Sequence, residues 1–263
     1  MPYPSFPIIG VKGSARSGKD TVAGFLAEVL GGVLVAQADP MKRFAGDVFG
    51  FSEEQLWGGA AKEAVDPRST DSSYWAQAEQ RLLRVASDYL EQWGLEGRDL
   101  SAFTLLQRWF RGLEETPGRF SPRVALQTLG TEFGRAVDKD MWSSLALLTA
   151  SKLLDGGHSY SREKGLLFTN NPPPGWVLIT DVRFRNEVLN IKAHGGWILE
   201  VINPASTGPS TVGIAGHASE TELASIPATW TDVRFTNDKE LGLDAAREQV
   251  KMLVRQLFKV EAP

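Results

Sequence analysis

The chain has 263 residues, 42% apolar and 23% charged, a balance ordinary for a soluble globular protein with a large buried core. Its 28 Lys and Arg against 32 Asp and Glu leave a net charge of −4, without the cationic surplus that broad nucleic-acid binding requires. With no cysteine, disulfides, thiol catalysis and cysteine-ligated zinc or iron–sulfur centres are excluded. No apolar run approaches the roughly 18 residues of a membrane span. Residues 1–7 lack the cationic-then-apolar pattern of a signal peptide. These features point to a cytoplasmic chain with neither membrane nor nucleic acid as partner.

Ile8-Ile9-Gly10-Val11 reads as a buried first strand. A Gly/Ser turn follows from Gly13 to Gly18. A helix then runs from about Lys19 to Leu30, with Val22, Phe25, Leu26 and Val29 on one face and Gly31-Gly32 as its stop. Val33–Ala36 is a second strand. Asp39-Pro40 opens the next helix, with Asp39 expected as the cap and Pro40 at the first helical position. From about Gly50 to Phe120 no convincing strand occurs, and Trp75, Ala78, Leu82, Ala86, Tyr89 and Trp93 recur at helical spacing over 74–93.

Ser121-Pro122 opens another helix, and 140–154 a further one ended by Gly156-Gly157. Residues 155–175 read as loop, with Asn170 to Gly175 a stiff surface stretch. Trp176–Asp181 is an apolar run ending in a carboxylate. A helix over 185–194, a strand over 197–201, a short helix near Ser219, a strand over 233–235 and a helix from about Lys239 to Phe258 complete the chain. Strands alternating with helices imply a parallel sheet covered on both faces. The expected organisation is a single domain over 1–263 carrying a helical insertion at about 50–120.

Gly13-Ser14-Ala15-Arg16-Ser17-Gly18-Lys19-Asp20-Thr21 has the P-loop spacing, with Asp20 where Ser or Thr is usual. Its glycines let backbone N–H groups turn inward around phosphate oxygens at a helix N-terminus. Lys19 is the expected contact to the β- and γ-phosphates. Asp20 either binds Mg²⁺ or only favours the helix start, and Thr21 is a second candidate ligand. Asp181, ending an apolar strand, has the position of a Walker-B carboxylate. Arg183 and Arg185 follow at the sheet edge, where α/β proteins bind ligands. Arg123, Gln127, Arg135, Lys42 and Arg43 are further polar candidates. His158, His194 and His217 lack metal-ligand spacing. The tryptophans read mainly as packing, with Trp57 and Trp142 as candidates to stack on a base.

Several blocks in order resemble the bacteriophage-type deoxynucleoside monophosphate kinases. They are Gly10-Val11-Lys12 through Ser17-Gly18-Lys19-Asp20-Thr21, then Ala38-Asp39-Pro40-Met41-Lys42, then Arg123 through Leu129-Gly130-Thr131-Glu132 and Gly134-Arg135 with Asp140 and Trp142. Thr180 to Phe184 with Asn186-Glu187, His217 with Ser219-Glu220, and Thr236-Asn237-Asp238 follow. Little matches at 50–120 or 155–175. The resemblance implies an α/β three-layer P-loop NTPase fold that transfers phosphate from ATP, with Mg²⁺, to a (d)NMP. On that reading ATP lies on Gly13–Thr21, Mg²⁺ near Asp20, Thr21 and Asp181, and Lys19, Arg123, Arg135, Arg183 and Arg185 serve transfer. Asp39, Lys42, Gln127 and Arg183 meet the acceptor. A homodimer is compatible with the sequence, and the compartment is the cytoplasm, a host's if the chain is phage-encoded. Other readings stay open: a P-loop kinase for phosphomevalonate- or dephospho-coenzyme-A-like acceptors, a non-catalytic ATP-binding regulator, or a DNA-associated ATPase.

Overall fold

The computed structural model describes residues 6–95, 99–205 and 218–258. Its strands are β1 (Ile8–Lys12), β2 (Gly32–Ala36), β3 (His158–Ser161), β4 (Gly165–Phe168), β5 (Trp176–Val182), β6 (Trp197–Ile202) and β7 (Val233–Thr236). Five of them form a parallel sheet in the order β2-β5-β1-β6-β7. β1 is central and buried at every position, as expected for a strand covered on both faces. Alternation sorts its side chains. Ile9 and Val11, with Leu178, Leu199 and Val201, pack with Val22 and Leu26 of the helix Lys19–Leu30 and Val250 of the helix Gly242–Phe258. Ile8, with Val177, Ile179 and Ile198, packs with Ala150 and Leu153 of the helix Met141–Leu154 and Val188 and Ile191 of the helix Arg185–Ala193. Each fully buried aliphatic side chain of this kind contributes about 1.5–3 kcal/mol. The sheet with helices on both faces is the three-layer α/β architecture of P-loop NTPases.

The chain divides into two compact units. The sheet unit draws on residues before 38 and after 142; the other is built from 38–142. Within the latter, the helices are Asp39–Phe49, Glu53–Trp57, Ala60–Glu63, Ser72–Gln92, Asp99–Glu114 and Pro122–Thr128, and no strand occurs among its described residues. Its core is aromatic: Phe49 packs against Trp75, Trp109, Phe110 and Phe120, and Phe44 against Tyr89 and Trp93. The helix at 122–128 widens into a π-helix over Leu129–Arg135. Gly134 makes room for Trp142, since a Cβ there would lie 2.3 Å from the indole nitrogen. That nitrogen donates to the Gly130 carbonyl at 3.0 Å. Trp142 is therefore spent on the π-turn and on packing against Trp93, not presented to a base.

Three local expectations change. Ala38, not Asp39, caps the helix at 39–49, and Asp39 and Pro40 are its first two residues. The Asp39 carboxylate is thereby left for side-chain partners. The last helix starts at Gly242, after a separate 3-10 turn at Lys239–Leu241 capped by Asp238. Residues 155–175 contain an antiparallel hairpin, β3 with β4, rather than loop alone. Ser121 caps the helix at 122–128 as expected, accepting from the Val124 N–H. His194 ends the helix Arg185–Ala193, its Nδ1 2.8 Å from the Asn190 carbonyl.

Candidate functional site

The site in the sheet unit begins where β1 ends. Gly18 turns the chain with φ 82°, and a Cβ there would sit 2.2 Å from Asn237 Nδ2. Only glycine meets both demands. Asn237, buried just after β7, donates from Nδ2 to the Ser17 carbonyl at 2.9 Å and holds the loop from behind. Ser14, Ala15 and Arg16 are exposed, and Arg16 has φ 63°. Lys19 then starts the helix with Asp20 in its first turn.

Asp181 reaches Lys19 because of a bulge. In the β1–β5 ladder Gly10 pairs with Ile179 but Lys12 with Val182, so β5 carries one extra residue. Asp181, at φ 63°, lies in that extra step. Bulges of this kind re-aim a side chain. Lys19 Nζ lies 2.7 Å from Asp20 Oδ1 and 3.0 Å from Asp181 Oδ1. Burial disfavours its charge, but the two carboxylates outweigh burial and hold the ammonium above its ordinary pKa. Arg183 Nη2 lies 3.8 Å from Asp181 Oδ1. Glu187 accepts from the Arg183 and Phe184 N–H groups at 2.7 and 3.0 Å, fixing the turn after β5. Arg185 points elsewhere: its Nη2 donates to the Ser225 carbonyl at 2.6 Å.

Behind the loop, Lys12, Glu200 and Arg234 stand side by side in the ladder across β1, β6 and β7. Lys12 Nζ donates to Glu200 Oε1, and Arg234 Nε to Oε2 at 3.0 Å. Burial raises the Glu200 pKa, but the two cations overcome it and keep the carboxyl below its usual value. The row fixes the root of the loop Gly13–Gly18. Lys12 and Asn237 stand in the sequence blocks quoted above, but only the strand order β1-β6-β7 brings their roles out.

These residues fit a nucleotide phosphate and a metal. The Ser17 hydroxyl is fully buried without a protein partner, a polar group at the loop that a phosphate or its water shell can satisfy. Two carboxylates converge on one ammonium, and Thr21 is exposed one residue on. Among the described residues no group of three His, Asp or Glu could hold a metal alone. Mg²⁺ bound through one or two carboxylates and substrate phosphates needs no such group.

The other expected site residues belong to the helical unit. Lys42 Nζ lies 3.3 Å from Asp39 Oδ1, both side chains buried. Trp57 Nε1 donates to the same carboxylate oxygen at 3.4 Å, and the Lys42 ammonium lies 5.8 Å from the Trp57 ring centroid. Arg123 donates from Nε and Nη2 to Glu63 Oε1 at 2.8 and 2.5 Å. Arg135 Nη1 donates to the Lys139 carbonyl at 3.4 Å. Gln127 is buried on the helix at 122–128. The helix runs on through Gly130 and Gly134 as the π-helix, and Arg123 and Arg135 have separate partners. His217 lies outside the described residues.

No helix among the described residues is long and apolar enough to cross a membrane. No protein-family model matches the chain. It is 27% identical over 235 residues to an Acanthamoeba polyphaga mimivirus protein named "Putative deoxynucleotide monophosphate kinase", across 89% of this chain and 90% of that protein.

Proposed function

We propose that the protein is a P-loop kinase that transfers the γ-phosphoryl group of ATP to a deoxynucleoside monophosphate. One observation carries this reading: a half-buried lysine at a helix start, bracketed by Asp20 and a bulge-borne Asp181 at the C-terminal edge of a parallel sheet. That arrangement suits a nucleotide triphosphate and its metal. The likeness to the mimivirus protein supports the acceptor class.

In the proposed reaction an oxygen of the acceptor's α-phosphate attacks the γ-phosphorus in line. The bond to the β–γ bridging oxygen breaks, and ADP leaves with that electron pair. Lys19 moves from its carboxylates to the β- and γ-phosphate oxygens. Arg183, a half-buried planar fork, meets the acceptor or the transferred group. Mg²⁺, when bound, supplies charge neutralisation between the phosphates; Asp20, Thr21 and Asp181 would hold it or its water shell. The loop backbone N–H groups of Gly13–Gly18 cradle the phosphates. Catalysis is positioning and cationic stabilisation. In the helical unit, Asp39, Lys42 and Gln127 are proposed acceptor contacts, and the stretch at about 50–120 a substrate-binding insertion of a single kinase domain. Arg123, Arg135 and Arg185 remain proposed phosphate contacts only if they leave Glu63, Lys139 and Ser225.

ADP formation from ATP·Mg²⁺ tests this across all common NMPs and dNMPs, with phosphomevalonate and dephospho-coenzyme A alongside. Turnover with a dNMP is the expected result. Turnover with one of the last two alone would move the chain to another kinase class, and none with any acceptor would remove the transferase reading.

A further inference from the structure

Gln37 is the first residue beyond β2, the edge strand next to β5. Its N–H donates to the Thr180 carbonyl at 3.4 Å, continuing the ladder in which Ala36 pairs with Thr180. The residue is therefore placed beside the step that carries Asp181. By alternation its side chain shares a face with Val33 and Val35, both packed in the core on that side. It is 4% exposed, and neither its Oε1 nor its Nε2 has a hydrogen-bond partner. A buried amide with both ends unmet is an expensive thing for a fold to keep.

The two ends define what would satisfy them. Oε1 needs a donor and Nε2 an acceptor. A phosphate offers acceptors only, and the water shell of a cation offers donors only, so each would leave half the amide unmet. A neutral group with a donor and an acceptor side by side meets both. Of the parts of a nucleotide, the edge of a base and the hydroxyls of a sugar have that chemistry. Side-chain torsions separate the amide from the strand, so its ends can turn toward a group lying on the sheet edge.

We propose that Gln37 is a specificity-determining contact that reads a neutral donor–acceptor pair on the acceptor nucleotide. The proposal rests on the reading that a nucleoside monophosphate is the acceptor. It predicts opposite effects of one substitution. Gln37→Leu removes the unmet amide and keeps an apolar side chain of similar size. The protein alone should then melt higher, by roughly 2–4 °C, the shift that about 1 kcal/mol gives a chain somewhat smaller than this one. At the same time the contact to the monophosphate is lost.

Thermal melting of the wild type and Gln37→Leu, alone and with each of ATP, the dNMPs and the NMPs, decides the matter without requiring turnover. The expected result has two parts: a higher melting temperature for the variant alone, and a monophosphate-induced stabilisation reduced to what a tenfold weaker affinity gives, with the ATP response unchanged. Only that combination upholds the proposal. A variant that melts no higher overturns it by showing that the amide is satisfied inside the fold; one that answers monophosphates as the wild type does overturns it by showing that the amide does not meet the acceptor. The base panel and the paired ribo and deoxy sugars separate the sources: a loss confined to one base assigns a base edge, and a loss confined to ribonucleotides a sugar hydroxyl. If Gln37→Leu does not fold, Gln37→Met is carried through the same comparison. Wild-type turnover is a separate measurement, so failure of the kinase reading would be seen on its own.

Discussion

Lys19 in the sheet unit and Lys42 in the helical unit are both paired with aspartates, and the two pairs are built differently. Lys19 sits between Asp20, 76% exposed, and Asp181, which a bulge delivers from a neighbouring strand. One of its partners is in water and the other is held by an irregular backbone, so the ammonium can change partners at small cost. Lys42 and Asp39 lie one helical turn apart, both buried, with the Trp57 indole sharing the carboxylate. Exchange there means exposing a charge that the surroundings have already desolvated. The first arrangement suits a cation that must move to an incoming anion. The second suits a charge whose place is fixed.

Removing each cation should break the comparison in opposite directions. Lys19→Ala is expected to lower turnover by about 10²–10³, by analogy with loss of one preorganised donor to developing charge. Its urea unfolding midpoint should stay near that of the wild type, because Asp20 is already hydrated. Near-normal turnover of a folded Lys19→Ala protein would remove the phosphate-loop assignment. Lys42→Met should act first on stability, because it removes the ammonium that lies 3.3 Å from the buried Asp39 carboxylate. A loss of about 1–3 kcal/mol is expected in urea unfolding, the range for a buried polar group deprived of its partner. An unfolding curve that overlays the wild type would show that the buried pair is as free to exchange as the exposed one.

The smallest effect tests the mobile side of the first pair. Asp20→Asn keeps the size and an oxygen but gives up the charge. If Asp20 helps to hold Mg²⁺, the metal concentration for half-maximal turnover should rise a few-fold, and excess Mg²⁺ should restore the rate. A Mg²⁺ titration that superimposes on the wild type would confine Asp20 to the helix terminus, where an acidic residue adds about 0.3–1 kcal/mol. The metal would then fall to Asp181 and Thr21.

The turn Gly13–Gly18 between strand and helix was readable in the amino-acid order because its signals are local: an apolar run, a fixed Gly–Lys spacing and a helical period directly after it. Asp181 was readable as a carboxylate ending an apolar strand. Its bulge was not, because a register shift exists only between two strands, and Gly10 and Ile179 are far apart in the chain. The Lys12–Glu200–Arg234 row was hidden for the same reason, as strand order alone makes neighbours of residues 12, 200 and 234. Asp39-Pro40 misled by a single position, since the cap-plus-proline pattern fits equally when the proline is second in the helix. The β3–β4 hairpin escaped because its strands have only four residues each and begin with polar His158-Ser159 and Gly165. The helix over 74–93 was legible through its period, whereas the partners of Arg123 and Trp142 depend on how the helices of the 38–142 unit meet.

The extra step in β5 also bears on how the chain tolerates changes of length. Losing one residue within a regular strand turns every following side chain to the opposite face. At Asp181 the reverse holds: between Ile179 and Val182, β5 spends three steps where β1 spends two. A deletion of Asp181 would bring Val182 into plain register with Lys12 and leave the upstream pairing with β2, from Gly32 to Ala36, as it stands. Among the described strand pairs this register shift marks a place where a shortened gene could still encode an intact ladder, and the protein it encoded would lack the carboxylate that meets Lys19.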